Sequence, residues 1–301
     1  MRIKSIIAVL LCCACFYTSE GQQIFAISQY VQHNFIYNPA AAGAADNPSV
    51  GALYRKMWAG IDGGPQTTIL YGDTYFEKKK VGLAAFVYDD KTGPTDRTGG
   101  QINLSYSINL GTDKTKRLMF GLGGMFMQYK LDKAYIANDI PNDPLLSSPG
   151  SEFTGDAAAG VYLKTPTLNV GVSVEQIIQS QLGFINETST NIEGKLYRHY
   201  FFMADYNLRT DDEDVLIPNV LLKYQPNSPV DFQGGVKLLH QDFLWIGLSY
   251  HYQQSYSVYA GVKIAHQFEV GYAYDQYQTP LSVFDNGGAG NELSLRYYFI
   301  K

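Results

Sequence analysis

Residues 101–110 read Q-I-N-L-S-Y-S-I-N-L, an almost unbroken alternation of polar and apolar side chains. Ile102, Leu104, Tyr106, Ile108 and Leu110 fall on one parity, and Asn103, Ser105, Ser107 and Asn109 on the other. Successive side chains of a strand point to opposite faces, so the stretch is a strand with one greasy and one wet surface. A soluble sandwich produces the same local pattern. Here, however, the pattern recurs along most of a 301-residue chain, behind an export signal and with no cysteine after that signal. The combination predicts a transmembrane antiparallel up-and-down β-barrel of about fourteen strands, of the kind found in bacterial outer membranes.

Residues 1–21 read as a secretory signal peptide. Arg2 and Lys4 supply the positive start, and Ile6–Phe16 forms an apolar core too short to span a bilayer. Small residues at Thr18, Ser19 and Gly21 predict cleavage near Gln22. Cys12, Cys13 and Cys15 all lie inside this segment, and their flanking residues fit a lipoprotein site poorly. The mature chain therefore has neither disulfides nor thiol chemistry. No later stretch has the roughly 18 consecutive apolar residues of a membrane helix. The net charge of −5 argues against nucleic acid as a partner, and the abundant tyrosine and phenylalanine suit interfacial girdles against outer-membrane lipid.

Residues 22–48 are irregular and read as a periplasmic or lumenal segment preceding the barrel of residues 49–301. Candidate strands cover 49–58, 66–76, 80–89, 99–110, 117–129, 153–165, 167–177, 195–208, 214–225, 230–240, 242–252, 255–264, 267–277 and 291–299. The strand at 214–225 is the weakest because Pro218 removes a ladder donor. Connections after even-numbered strands are all short, whereas the long ones (130–152, 178–194, 278–290) follow odd-numbered strands. A bacterial barrel has short periplasmic turns and longer external loops, and its even strand count predicts that both termini are periplasmic. Glu175, Lys237, Lys263, Glu269, Asp275 and Arg296 all fall on the wet parity of their strands. Arg198 shares parity with Tyr200 and Phe202, at a strand start where it can snorkel.

Catalytic patterns are not found. The five histidines are scattered, and no metal-ligand spacing, nucleophile elbow or telling carboxylate pair occurs. His251 reads as a lumen-lining donor, and Asp139 and Asp143 as solvated loop acids. Gly121, Gly123 and Gly124 lie within a strand, where they let the wall bend or let something pack against it. No enzymatic activity, cofactor or metal is expected.

Two segments exceed what a generic barrel needs. One is Y-N-P-A-A-A-G at 37–43, shortly after Ser28-Gln29-Tyr30; the other is Y-R-K-M-W-A-G-I-D-G-G-P-Q-T at 54–67. With Thr92-Gly93-Pro94-Thr95, Leu104-Ser105-Tyr106 and the closing Asn291-Glu292-Leu293-Ser294-Leu295-Arg296-Tyr297, they resemble the PorP/SprF family of type IX secretion system membrane proteins. Met57 and Gly64 depart from the residues usual there. The resemblance implies an outer-membrane barrel of Bacteroidota-type bacteria that assists export or surface anchoring of a secreted protein such as an adhesin, in secretion, attachment or gliding. It implies as partners a cargo with a C-terminal sorting domain, the large secretion barrel, and periplasmic peptidoglycan-binding or ring components. The alternatives are a diffusion channel or small-solute transporter, and a purely structural barrel. Asn38, Pro39, Gly43, Arg55, Trp58, Asp62, Gly63, Pro65 and Thr67 are the expected partner-binding or gating residues. Parity turns Arg55 into the lumen, where its forked donors can hold a carboxylate or carbonyls of the N-terminal segment.

Overall fold

The computed structural model describes residues 24–45, 47–111, 115–139, 141, 146, 150–182, 194–279, 281–284 and 289–300. The signal peptide, its cleavage site and Asp143 lie outside them, as does the side chain of Asp139. The described residues form one antiparallel sheet closed on itself. Its strands are β1 Ser49–Lys56, β2 Gln66–Phe76, β3 Val81–Thr92, β4 Thr95–Asn109, β5 Arg117–Leu131, β6 Ser151–Lys164 and β7 Leu168–Glu175. Then follow β8 His199–Tyr206, which resumes briefly at Leu208–Arg209, β9 Asp214–Tyr224, β10 Asp231–His240, β11 Leu244–His251, β12 Ser255–Ile264, β13 Phe268–Tyr277 and β14 Ala289–Tyr298. Every strand pairs with its sequence neighbours, and β1 pairs with β14 to close the ring. Closure removes the free edges that would otherwise leave backbone N–H and C=O groups unpaired in lipid.

The wall is inverted relative to a soluble protein. In β4, Ile102, Leu104, Tyr106 and Ile108 are 46–54% exposed, whereas Gln101, Asn103, Ser105 and Ser107 are 0–4% exposed. Water would penalise that arrangement, and hydrocarbon outside with polar partners inside favours it. Aromatic pairs mark both rims of the apolar band: Tyr250–Tyr256 at 5.0 Å between ring centroids at one end, Phe268–Tyr297 at 4.8 Å at the other. No helix among the described residues is long and apolar enough to cross a membrane.

Several strand limits move. The third and fourth strands run on to Thr92 and from Thr95, joined only by Gly93-Pro94, because Asp90 and Arg97 pair face to face across the extended hairpin. The eighth begins at His199, not near residue 195, so Arg198 precedes it and donates to the Ile177 carbonyl at 2.7 Å, without snorkelling from the lipid face. Pro218 is accommodated in β9 where the ladder to β8 breaks, between Leu216↔Leu208 and Asn219↔Asp205. The longest connections gather at one end, called here the long-loop end. At the short-turn end, Gln241–Asp242 and Ala265–His266 adopt positive φ, the twist that tight hairpins need.

The N-terminal segment is inside the barrel. Residues 24–45 enter past Pro48 at the short-turn end and run up the lumen as three short 3₁₀ turns, Tyr30–Gln32, Asn34–Ile36 and Pro39–Ala41. They finish at Ile24 and Phe25, which line a small cavity with Arg97 and Met127 in the long-loop half. Ile27, Tyr30, Phe35, Ile36, Tyr37 and Ala40–Ala42 are at most 5% exposed and pack with Leu53, Ile69, Tyr71, Phe86, Met119 and Phe201 of the wall. Fourteen strands enclose a lumen too wide for wall side chains alone to fill, and this segment occupies much of it, leaving space beside it toward the short-turn end.

The lipid face generates a direct prediction. Leu104→Arg places a charge on the exposed apolar band and is expected to lower folding free energy in lipid vesicles by about 2–4 kcal/mol. The check is the unfolded fraction across a urea series, read as loss of the faster-migrating unheated band on a gel. Wild-type stability in that variant would place Leu104 away from lipid.

Candidate functional site

The lumenal contacts fall into two clusters, one toward each end. The upper cluster is built on the seam that closes the barrel. The β1–β14 register sets Arg55 directly opposite Glu292, and β13 brings Asp275 beside them. Arg55 Nη2 lies 2.7 Å from Asp275 Oδ2 and Nη1 lies 3.0 Å from Glu292 Oε2. All three residues are at most 3% exposed. One guanidinium faces two carboxylates, so the wall alone would bury a net negative charge. The N-terminal segment supplies the missing donors. Ser28 N and Gln29 N donate to the two Glu292 oxygens at 2.8 and 3.0 Å. Ser28 Oγ donates to Asp275 Oδ1 at 2.8 Å and accepts from Arg55 Nη1 at 2.5 Å, while Ser257 Oγ also donates to Asp275. Hydrogen bonds to charged acceptors are the strong ones, and here they tie the segment to the seam.

The lower cluster is a cradle for Asn38–Gly43. A Cβ on Gly82 would stand 2.0 Å from the Ala42 carbonyl oxygen, one on Gly121 2.2 Å from Ala40 N, and one on Gly160 2.1 Å from Asn38 Oδ1. Only glycine permits so close an approach of segment to wall. The packing role foreseen for Gly121 is thus realised. Asn38 caps its own turn, Oδ1 accepting from Ala40 N at 2.9 Å, and its Nδ2 donates to the Val161 and Val172 carbonyls at 3.1 and 3.3 Å. Pro39 occupies the first turn position, where its missing N–H costs nothing. Gly43, at φ +70°, turns the chain so that its N–H donates to Asp73 Oδ1 at 2.6 Å. Arg117 Nη2 and Lys164 Nζ both reach the Ala44 carbonyl.

Between the clusters, the wet face of the alternating strands supplies the partners that an irregular backbone needs. Asn103 Nδ2 donates to the Phe35 carbonyl at 2.8 Å, Ser105 Oγ to that of Ala42 at 2.6 Å, and Ser173 Oγ to that of Tyr37 at 2.5 Å. His33, 1% exposed, has one ring nitrogen 3.1 Å from the Gln29 carbonyl and the other 3.1 Å from Tyr71 Oη. Burial first, and the nearby Arg296 charge second, hold His33 well below the usual histidine range, so it sits neutral between an acceptor and a hydroxyl.

The nine anticipated residues do not form one element. Asn38, Pro39 and Gly43 lie in the cradle, and Arg55 lies in the seam cluster on the other side of the lumen. Its partners also differ from expectation: the carboxylates belong to the wall, and the segment offers Arg55 the Ser28 hydroxyl in place of a carboxylate or carbonyls, its two N–H groups going to Glu292. Trp58, Asp62, Gly63 and Pro65 belong to the β1–β2 loop at the long-loop rim. That loop is held by Met57 N donating to the Pro65 carbonyl at 2.8 Å and by Gly93 N donating to that of Gly63 at 2.8 Å. Thr67 Oγ1 donates to Asp90 Oδ1 at 2.6 Å, and Asp90 also binds Arg97. Sequence reading left out Ser28, Asp73, Glu292 and the cradle glycines at 82 and 160 as site residues. Ser28 and Glu292 stood in the motifs that carry the family resemblance, and lumenal parity was the signal for the strand residues. His251 faces the lumen as expected and bonds Asp231, itself 2.9 Å from Lys223. Among the described residues, no group of histidine and acidic side chains could hold a metal ion.

The sequence matches the family described as "Type IX secretion system membrane protein PorP/SprF" over residues 19–297. No curated protein sequence matches the chain. Solved structures similar to it include the outer membrane protein Omp33 of Acinetobacter baumannii, at 9% identity and TM-score 0.48, covering 84% of this chain and 98% of that one. The CymD monoaromatic hydrocarbon channel stands at 10% identity and 0.49, covering 92% and 94%. The toluene transporter TbuX of Ralstonia pickettii stands at 9% and 0.49, covering 88% and 93%.

Removing Arg55 leaves two buried carboxylates facing each other with no cation. Arg55→Ala is therefore expected to weaken docking of the N-terminal segment by about 3–5 kcal/mol. Limited proteolysis should cut within residues 24–45 of that variant and spare the wild type, with the barrel itself still heat-modifiable. Adding Asp275→Asn to Arg55→Ala should restore much of the protection. Equal resistance of Arg55→Ala and wild type would show that the cluster does not hold the segment.

Proposed function

Because the chain belongs to the PorP/SprF family of type IX secretion system membrane proteins, we propose that it is an outer-membrane accessory component that helps export or anchor a secreted protein and links it to periplasmic machinery. The observation that carries this reading is the lumen occupied from end to end by the chain's own segment. A diffusion channel needs a continuous aqueous path, whereas here the barrel's inner wall is committed to binding its own N-terminal segment through both ends of the lumen. A plugged cylinder suits a platform on which other proteins assemble. The long-loop end, taken as external by the loop-length argument, would meet the cargo's C-terminal sorting domain. The short-turn end, taken as periplasmic, would meet peptidoglycan-binding or ring components. Service in gliding or surface attachment belongs to the same proposal. The seam cluster and cradle then act indirectly, by keeping the plug seated and the rims in register, while the β1–β2 loop with Trp58, Asp62, Gly63 and Pro65 is the rim element offered to a partner.

The test is surface display of a sorting-domain protein in a strain lacking this barrel and carrying it back as wild type or variant. Wild type should restore display, and Arg55→Ala should restore it poorly at equal barrel abundance. Full display in the strain lacking the barrel would overturn the secretion role. A stable, large ohmic conductance from the purified wild-type protein in planar bilayers would favour the transporter in its place.

A further inference from the structure

The short-turn end of the barrel is divided by charge. The connections from β2 to β3, β4 to β5 and β6 to β7, residues 77–80, 110–117 and 164–167, contain seven lysines and arginines against Glu77 and Asp113. Those from β8 to β9 and β10 to β11, residues 207–214 and 240–244, contain Arg209 against Asp211, Asp212, Glu213, Asp214 and Asp242. Asp242 is met by Lys263 at 2.8 Å, which leaves the run 211–214 to define the acidic half. Within the basic half a cavity of about 720 Å³ opens between the wall and the entry of the N-terminal segment at Pro48. That volume is ample for a ligand or a short length of another chain. Its charged lining, among the described residues, is Lys78, Lys80, Arg117 and Lys164 against Glu77.

The basic groups differ in what holds them. Arg117 lies 4.3 Å from the Tyr75 ring centroid and donates to the Gly43 and Ala44 carbonyls at 3.5 and 3.4 Å. Lys164 reaches the Ala44 carbonyl as well, and both cations have Asp73 within electrostatic reach. Lys78, Lys79 and Lys80 are exposed, and their side chains make no hydrogen bond or ion pair among the described residues. The unmatched positive charge is therefore concentrated at the rim of the cavity. We propose that this mouth receives an acidic stretch of a periplasmic protein partner, an inference that rests on the accessory role and periplasmic short-turn end proposed above. Lipid is the wrong occupant. Tyr75 and Asn109 line the cavity from the lumenal side, whereas their neighbours Phe76 and Leu110 face outward, so the opening turns away from the bilayer. A polyanionic glycan would meet repulsion from the run 211–214 on the same end face. A protein with both acidic and basic stretches is instead oriented by the two halves at once, because complementary charge fixes register as well as encounter. A second copy of the chain is excluded by geometry, since barrels in one membrane present this end in the same direction and cannot meet face to face.

The experiment titrates a fluorescein-labelled hexaglutamate peptide with the purified full-length barrel in uncharged detergent at low salt, read by fluorescence anisotropy. Saturable binding that weakens as salt is raised is expected, with a hexalysine peptide carrying the same label silent. The double variant Lys78→Glu/Lys80→Glu should weaken binding by about tenfold or more, with heat-modifiable migration confirming its fold. The double variant Lys91→Glu/Lys130→Glu makes the same change in net charge at the long-loop end and should bind as wild type does. Equal weakening by both variants would reduce the effect to net charge and overturn the site. Displacement of the labelled peptide by soluble peptidoglycan fragments at lower concentration than by unlabelled hexaglutamate would overturn the assignment to a protein. Because purified protein is used, the site fails separately from the accessory role. If wild type restores cargo display in the strain lacking the barrel but shows no saturable binding of hexaglutamate, the site is overturned and the role stands.

Discussion

One charge imbalance organises the interior. Arg55, Asp275 and Glu292 are fixed by strand register on the closing seam, and together they carry more negative than positive charge with almost no access to water. Attraction inside a low-dielectric interior offsets the loss of hydration only when geometry is good and the remaining lone pairs are filled. The wall fills some of them through Ser257, and the N-terminal segment fills the rest through Ser28 and Gln29. Barrel closure thus builds the docking site, and docking completes the hydrogen bonding of the seam. The seam is complete only when the segment is seated, and the segment is held at its far end only when the seam has formed.

The same reasoning extends along the lumen. A strand that alternates polar and apolar residues needs two different solvents, and the outer face has hydrocarbon. The inner face has the plug, whose 3₁₀ turns leave carbonyl groups unmet. Asn103, Ser105 and Ser173 meet them one by one, and the cradle glycines let the backbone come close enough for that. The wet face of the wall thus acts as a receptor for a specific length of the protein's own chain. A lumen organised this way is poorly suited to bulk flow and well suited to rigidity, which is the property an assembly platform requires.

Much of the wall was legible in the sequence because side-chain period and loop length are local properties. Q-I-N-L-S-Y-S-I-N-L reads as a two-faced strand without any knowledge of its neighbours, and Arg55 reads as lumenal from its parity alone. What it binds could not be read. Glu292 lies opposite Arg55 only because the last strand pairs with the first, at a sequence distance of 237 residues, and nothing in the local pattern encodes that register. The cradle was hidden for a related reason. Gly82, Gly121 and Gly160 belong to three strands, and each reads alone as a generic wall glycine. The segment that unites them has no periodicity, so its burial was invisible, although Asn38-Pro39 and Gly43 carried the signs of a capped turn and a left-handed turn. The β1–β2 motif failed differently: being contiguous in sequence with Arg55, it suggested one element, whereas the strand end separates Arg55 in the lumen from Trp58 in the loop.

The central claim is that residues 28–43 are a structural part of the barrel, docked through the seam cluster and the cradle. Amide hydrogen exchange of the folded protein in detergent tests it most directly, because Ser28, Gln29, Ala40 and Gly43 each give their N–H to a named side chain. The account predicts protection of these amides comparable to that of the neighbouring strand residues Leu53 and Ile69. Exchange of all four at the rate of an unstructured peptide, with the strands still protected, would contradict it.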